Sequence, residues 1–416
     1  MKKFVIISII LLLIGGTAFG FSLKHYLDVK HPSEETSDES SADSEETPDT
    51  PEEATEAQAA PVNNLADNGI FSANYAKAQK AIEEMSDEEM VGQLIVGVCS
   101  DLDTGTEDIK NYSLAGFLFE SDAFSYKTDE EIKQGIAGLK KEAKIAPIVA
   151  AQEEGGERTT VSGSDAFPEN TYDSPRNILA SGGLQDVEKT ELEKATFLKE
   201  VGFNLNLAPV VDIPDSSDQM MYSRSLTDDE KVVSDFAKYC SKQVQAKGVS
   251  IALKHFPGYG TISDEANYEA QSNGTPVVDD RTADDIRNKD YAPFKSGAEE
   301  GAHFIMVSNV IVKGFDATHT AALSPTVHKE LRDSVGFTGL IITDIIDDAD
   351  YSAYADGRDV AVAAILAGND LVLSRNYSSA YTAILSAVND GTISRDLLQQ
   401  TCTRILAYKY TAGLIK

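Results

Sequence analysis

Eight short apolar runs, each bounded by turn residues and separated from the next by stretches of helical period, constrain this chain more than any other feature. They are 91–98, 115–120, 146–153, 204–211, 251–256, 304–310, 339–345 and 370–374. Amphipathic stretches follow most of them: 128–142, 186–201, 229–247, 283–300, 324–334, 358–367 and 377–389. Continuous apolar strands alternating with helices predict a parallel sheet covered on both faces. Eight repeats over some 350 residues predict an α/β fold of the (β/α)8 type in a single domain. The doubly wound alternative lacks its glycine fingerprint, since no GxGxxG follows any strand. Two helices trail the last strand, so no C-terminal sandwich domain is expected.

The rest of the sequence narrows the setting. Lys2 and Lys3 precede an apolar run over 4–23, and Ala18 and Gly20 offer a small-x-small pattern. Residues 1–30 therefore read as an export signal or a retained membrane anchor, which puts the downstream chain on the outer face of the membrane or in the medium. Residues 31–64 read as a disordered acidic spacer. Between 31 and 60 there are eleven Asp or Glu and no Lys or Arg, and too little apolar surface to offset the entropy of ordering. The barrel is assigned to 65–416. A formal charge of −32 disfavours binding to nucleic acid or anionic lipid, so membrane contact is expected only through the amino-terminal run. Three scattered cysteines, Cys99, Cys240 and Cys402, exclude a disulfide scaffold and fit buried free thiols. Six histidines without HxxxH or HxH spacing give no metal centre. The sequence carries no signal for oligomeric state.

Barrel enzymes place their chemistry at the carboxyl ends of strands. Those ends carry Glu153 and Glu154 (third), Asp212 (fourth), Lys254 and His255 (fifth), Asn309 (sixth) and Asp344 (seventh). One buried polar group could be a hydrogen-bond plug. Five strand ends together predict a polar pocket for a polyhydroxy or charged ligand.

Several segments are similar to known ones: LKHFPGYG (253–260), VGFNLNLAPVVDI (201–213), LSPTVHKELRDSVGFTGLIITD (323–344), MSDEEMVGQLIVGV (85–98), QEEGGE (152–157) and AVAAILAGNDLVLS (361–374). In this order they resemble glycoside hydrolase family 3, and within it the single-barrel bacterial β-N-acetylglucosaminidases. The resemblance runs from about 75 to 411. It implies two-step retaining hydrolysis of a β-glycoside, with Asp344 as nucleophile. It also implies sugar binding by Lys254, His255 and Arg224, the last from SRSL in the loop after the fourth strand. The substrate implied is a carbohydrate such as a cell-wall glycan. Carboxylates and water suffice for this chemistry, so no metal or organic cofactor is expected.

The departures from the family pattern are as informative. The family's acid/base His, held by an Asp two residues earlier, falls on Asn267 and Glu265 in YGTISDEANYEA (259–270). An amide cannot pass a proton to a leaving group. Asp264 and Glu265, in the same loop, and Glu153 or Glu154 are the candidate replacements. The family Asp that grips sugar hydroxyls is Gln152 here, with Asp212 a further polar strand end facing the sugar. The family's His at the sixth strand end is Asn309. Two functions therefore stand: an exported glycosidase, or a barrel without turnover that binds or scaffolds glycans at the cell surface.

Overall fold

A computed structural model describes Leu65 and residues 69–347 and 349–416. The expected export segment (1–30) and the whole of the spacer (31–64) lie outside the described residues.

Eight strands form one parallel sheet: β1 (Ile95–Cys99), β2 (Gly116–Phe119), β3 (Ile148–Ala151), β4 (Leu205–Asn206), β5 (Ser250–Phe256), β6 (Phe304–Val307), β7 (Leu340–Thr343) and β8 (Val372–Ser374). The pairing runs β7-β6-β5-β4-β3-β2-β1-β8. A parallel bridge between Ile342 and Leu371, with the Asp370 and Leu371 amides donating to the Ile341 carbonyl, closes the circle. The chain is a (β/α)8 barrel, as the alternation predicts. Every residue of β5 is buried, including Lys254 and His255, and its register slips between Leu253 and Phe256. The peptide bonds Ala208–Pro209, Lys254–His255 and Phe256–Pro257 are cis.

Local signals explain most helix boundaries. The helix Asp129–Glu142 starts at a capping box in which Thr128 and Glu131 satisfy each other's backbone amides. The first apolar run is split rather than all strand. Ser86 and Glu89 form a second capping box, so Asp87–Gly92 is a helix and the strand begins only at Ile95. The stretch 283–300 is two helices, Ala283–Lys289 and Tyr291–Glu299, broken at Asp290. Leu102–Tyr112 and Asp264–Asn273 are helices that periodicity did not announce.

Two helices follow β8, Tyr377–Asn389 and Arg395–Thr411. The second seals the amino-terminal end of the barrel. Its Tyr408 and Lys409 are completely buried, and the Lys409 ammonium donates to Gln93 Oε1 at 2.7 Å and to the Ala115 carbonyl at 3.1 Å. Cys99, Cys240 and Cys402 are buried free thiols, as their scatter predicts. Among the described residues no helix is long and apolar enough to cross a membrane.

Candidate active site

The carboxyl ends of the strands surround a pocket of about 650 Å³, a volume suited to a small ligand. Gln152, Arg224, Lys254, His255, Tyr259, Asn309, Asp344 and Tyr351 line it.

Behind the lining, the site is organised around Glu154. The short strand Glu153–Gly155 follows β3 directly, and Glu154 is only 3% exposed. Its Oε1 lies 2.6 Å from Lys254 Nζ and 2.7 Å from Arg224 Nη2, while Arg224 Nε donates to Oε2 at 2.9 Å. Gln152 Nε2 adds a fourth donor at 2.9 Å. Burial alone would raise the Glu154 carboxyl. The charges of Lys254 and then Arg224 overcome it and hold the group well below the usual carboxylate range. Glu154 therefore stays ionised and aims two cations at the pocket. The sequence reading allowed it to face the cleft as an acid. It does neither: it is not a lining residue, and its four donors keep it a carboxylate.

Asp212 does the same for His255. Its Oδ2 accepts from His255 Nδ1 at 2.8 Å, and its Oδ1 accepts from the Tyr259 amide at 2.8 Å. Asp212 itself is buried beneath the lining, so it orients the imidazole instead of meeting a ligand. The Nδ1 contact leaves Nε2 as the nitrogen for the pocket. Tyr259 packs edge-on against the His255 ring, with centroids 5.0 Å apart. Burial, and then the charge of Asp344, push its phenol well above the ordinary value, so Tyr259 is a neutral hydroxyl able to donate.

Asp344 directly follows β7. Its amide donates to the Val307 carbonyl at 2.8 Å, an extra rung of the β6–β7 ladder, and the Ile345 amide donates to its Oδ1 at 2.9 Å. The carboxylate is fixed at the pocket wall and half-buried. Asn309 Nδ2 donates to the Ile345 carbonyl at 2.8 Å and so braces the same turn.

The structure thus brings together Asp344, Lys254, His255, Arg224 and Gln152, with Asp212 behind them. Asp264 and Glu265 are not brought in. Both are exposed in the first turn of the helix Asp264–Asn273, behind its Ser263 cap, and neither lines the pocket. Carboxylates are favoured there by the unpaired amides of a helix start. The face of that helix turned to the pocket carries Asn267, Ala270 and Gln271. Glu153 is fully buried, taken up by the Val161 amide at 3.0 Å, the Ser162 amide at 3.2 Å and the Ser162 hydroxyl. Among the described residues no group of three or more His, Cys, Asp or Glu could hold a metal ion.

Sequence reasoning missed Tyr259 and Tyr351 as lining groups. It also missed Arg375, just after β8, whose Nη1 lies 2.5 Å from Glu120 Oε1 at the rim. Position next to a strand end was the available signal for Arg375 and Glu120.

The family model described as the glycosyl hydrolase family 3 N terminal domain matches residues 86–408. A secreted glycosyl hydrolase of Arthroderma benhamiae is 28% identical over 269 residues, 62% of this chain and 73% of its own. The β-hexosaminidase LpqI of Mycobacterium tuberculosis is 24% identical over 337 residues, 78% of this chain and 83% of its own. A solved β-N-acetylglucosaminidase of this family from Paenibacillus superposes with a TM-score of 0.69 at 22% identity. That match covers 79% of this chain and 63% of the Paenibacillus chain, so the barrel spans under two thirds of that protein. At such identity the structural likeness is one of fold.

Proposed function

The chain belongs to glycosyl hydrolase family 3, and from that premise we propose that it hydrolyses β-glycosides with retention, acting on β-linked N-acetylglucosamine in cell-wall or related glycans. The observation that carries this reading is the fixed carboxylate of Asp344 in one pocket with Lys254, His255 and Arg224. Asp344 attacks the anomeric carbon, and the glycosyl ester so formed is then hydrolysed. Lys254 and Arg224 donate to sugar hydroxyls, and Glu154 keeps both pointed inward without mobile side chains to order. His255, set by Asp212, and the Tyr259 hydroxyl supply further polar contacts.

We place the barrel (65–416) outside the cytoplasm, with 1–30 as signal or anchor and 31–64 as spacer. The secreted Arthroderma relative supports that setting.

Aryl β-glycosides of N-acetylglucosamine, glucose and xylose test the reading, because aryl leaving groups need little protonation. Release of the aryl alcohol by the wild type but not by Asp344→Asn is expected, with a loss on the order of 10³-fold or more. No release from any sugar at high protein concentration would sink it. One observation favours the second reading, a glycan-binding module. The family's acid position is an amide, Asn267, and it faces the pocket. Binding of the same sugars without turnover would decide for that reading.

A further inference from the structure

Retaining hydrolysis needs a second proton-bearing group beside the nucleophile, and the family position for it is Asn267. Among the described lining residues the carboxylates are Glu120, Glu157 and Asp344. Glu120 is paired with Arg375 at the rim. Glu157 has no hydrogen bond or ion pair to any described residue and is open to water. Resting on the glycosidase reading above, the geometry points to Glu157 as the general acid/base of this enzyme.

Its mounting supports the assignment. Glu157 sits at the tip of a hairpin in which Glu153–Gly155 pairs antiparallel with Arg158–Thr159. The hairpin is pinned at its base, where Thr160 Oγ1 donates to the Gln152 carbonyl at 2.8 Å and Glu153 holds the amides of Val161 and Ser162. The turn into Glu157 uses Gly155 at φ 101° and Gly156 at φ 64°, and a Cβ on Gly155 would stand 2.3 Å from the Asp173 carbonyl oxygen. Glu157 is therefore carried on the same rigid piece of chain as Gln152, which lines the pocket, and Glu154, which anchors its cations. An acid placed on such a scaffold keeps its distance from the sugar. Contact with water suits the second step, in which water must reach the same group.

In the first step Asp344 forms its bond to the anomeric carbon as the glycosidic C–O bond breaks, and protonated Glu157 gives its proton to the departing oxygen. In the second, Glu157 takes a proton from water, the water oxygen bonds to the anomeric carbon, and the ester bond to Asp344 breaks. Both carboxyls end as they began.

Glu157→Gln and Glu157→Ala are assayed against 2,4-dinitrophenyl and alkyl β-glycosides of the sugar the wild type turns over, with and without azide. Cleavage of the alkyl glycoside should fall about 10²–10⁴-fold, the usual worth of a general acid, while the first step on the dinitrophenyl glycoside stays near wild type. Azide should restore turnover in Glu157→Ala and yield the β-glycosyl azide. A structural role for the hairpin would depress both substrates alike and give no azide product. Equal losses, or alkyl cleavage unchanged in both variants, would overturn the assignment of Glu157 while leaving Asp344 intact. If the wild type turns over no aryl glycoside, the glycosidase reading itself fails.

Discussion

Two buried carboxylates, each gripped by two cations, stand at opposite ends of this barrel. At the mouth Glu154 holds Lys254 and Arg224. At the floor Asp370 lies 3.1 Å from Arg332 Nη2 and 2.7 Å from Arg404 Nη2, and accepts the Ile341 amide at 2.8 Å. The difference lies in where the remaining donors go. Arg332 Nη1 donates to the carbonyls of Phe337 and Gly339 at 2.9 and 2.7 Å, knitting the entry to β7. The mouth cations line a pocket instead, and the Arg224 side chain keeps 18% of its surface exposed against 3% for Arg404. The same ionic device thus presents cations to a pocket where it adjoins space and ties chain to chain where it does not.

The sharpest way to break this contrast is to remove each carboxylate. Asp370→Ala strands two buried guanidinium groups and should cost about 3–5 kcal/mol in denaturant unfolding. Turnover per folded molecule should stay unchanged, and a parallel loss of turnover would erase the distinction between the two ends. At the mouth, Glu154→Gln should lower kcat/KM on an aryl glycoside about 100-fold, or about 2.7 kcal/mol. Its effect on unfolding should be the smaller of the two, because the freed cations reach the pocket. Unimpaired kcat/KM would show that Lys254 and Arg224 need no anchor.

The floor also predicts a pH dependence. Burial lowers the Lys409 amine from its ordinary 10.5 to about 7. Below pH 7 both folded and unfolded chains carry the proton. Between 7 and 10.5 the unfolded chain binds more protons, so stability should rise with pH across that window. The slope from this group is at most about 1.4 kcal/mol per pH unit. Lys409→Met should flatten it, and an identical slope in the variant would discount Lys409 as its source. The smallest effect should come from Ser263→Ala, which removes the cap of the helix Asp264–Asn273. A local loss of about 1 kcal/mol should raise KM a few-fold through Asn267 and Gln271 without moving the global unfolding transition. A drop in global stability would place that helix in the cooperative core.

The sequence is most legible where one residue's neighbours in the chain settle its place. Strand ends did so for Asp344, Lys254 and His255. Lys254 and His255 stand at the carboxyl end of a strand that is buried throughout, and that end opens on the pocket. Glu154 was legible as a strand-end residue but not as an anchor, since its partners lie 70 and 100 positions away and only closure of the barrel joins them. Asp264 and Glu265 misled because acidic residues near a predicted loop say nothing of the helix that forms there. Its Ser263 cap turns Asn267 to the pocket and leaves the two carboxylates in water. The helix Leu102–Tyr112 went unannounced because only Leu102, Gly105 and Ile109 of its residues are buried, a thin stripe for an apolar period. Glu157 drew no notice because a residue at a hairpin tip has no periodicity to mark it.

The floor has one more consequence. The closing helix Arg395–Thr411 lies against the helix Tyr75–Ile82 that opens the described domain, joined by Asn74 Nδ2 to Thr411 Oγ1 at 3.0 Å and by Lys77 over the Tyr410 ring. Both ends of the domain therefore leave from the blind side of the cup. A tether, tag or second domain spliced to either end would hang the cup by its base, its opening turned away from the point of suspension. Trimming the last helix for convenience would instead pull the stopper, exposing Ala115 and Gln93 to water. New termini cut elsewhere, with the chain at Asn74 joined to that at Thr411 across this short gap, would keep both stopper and mouth.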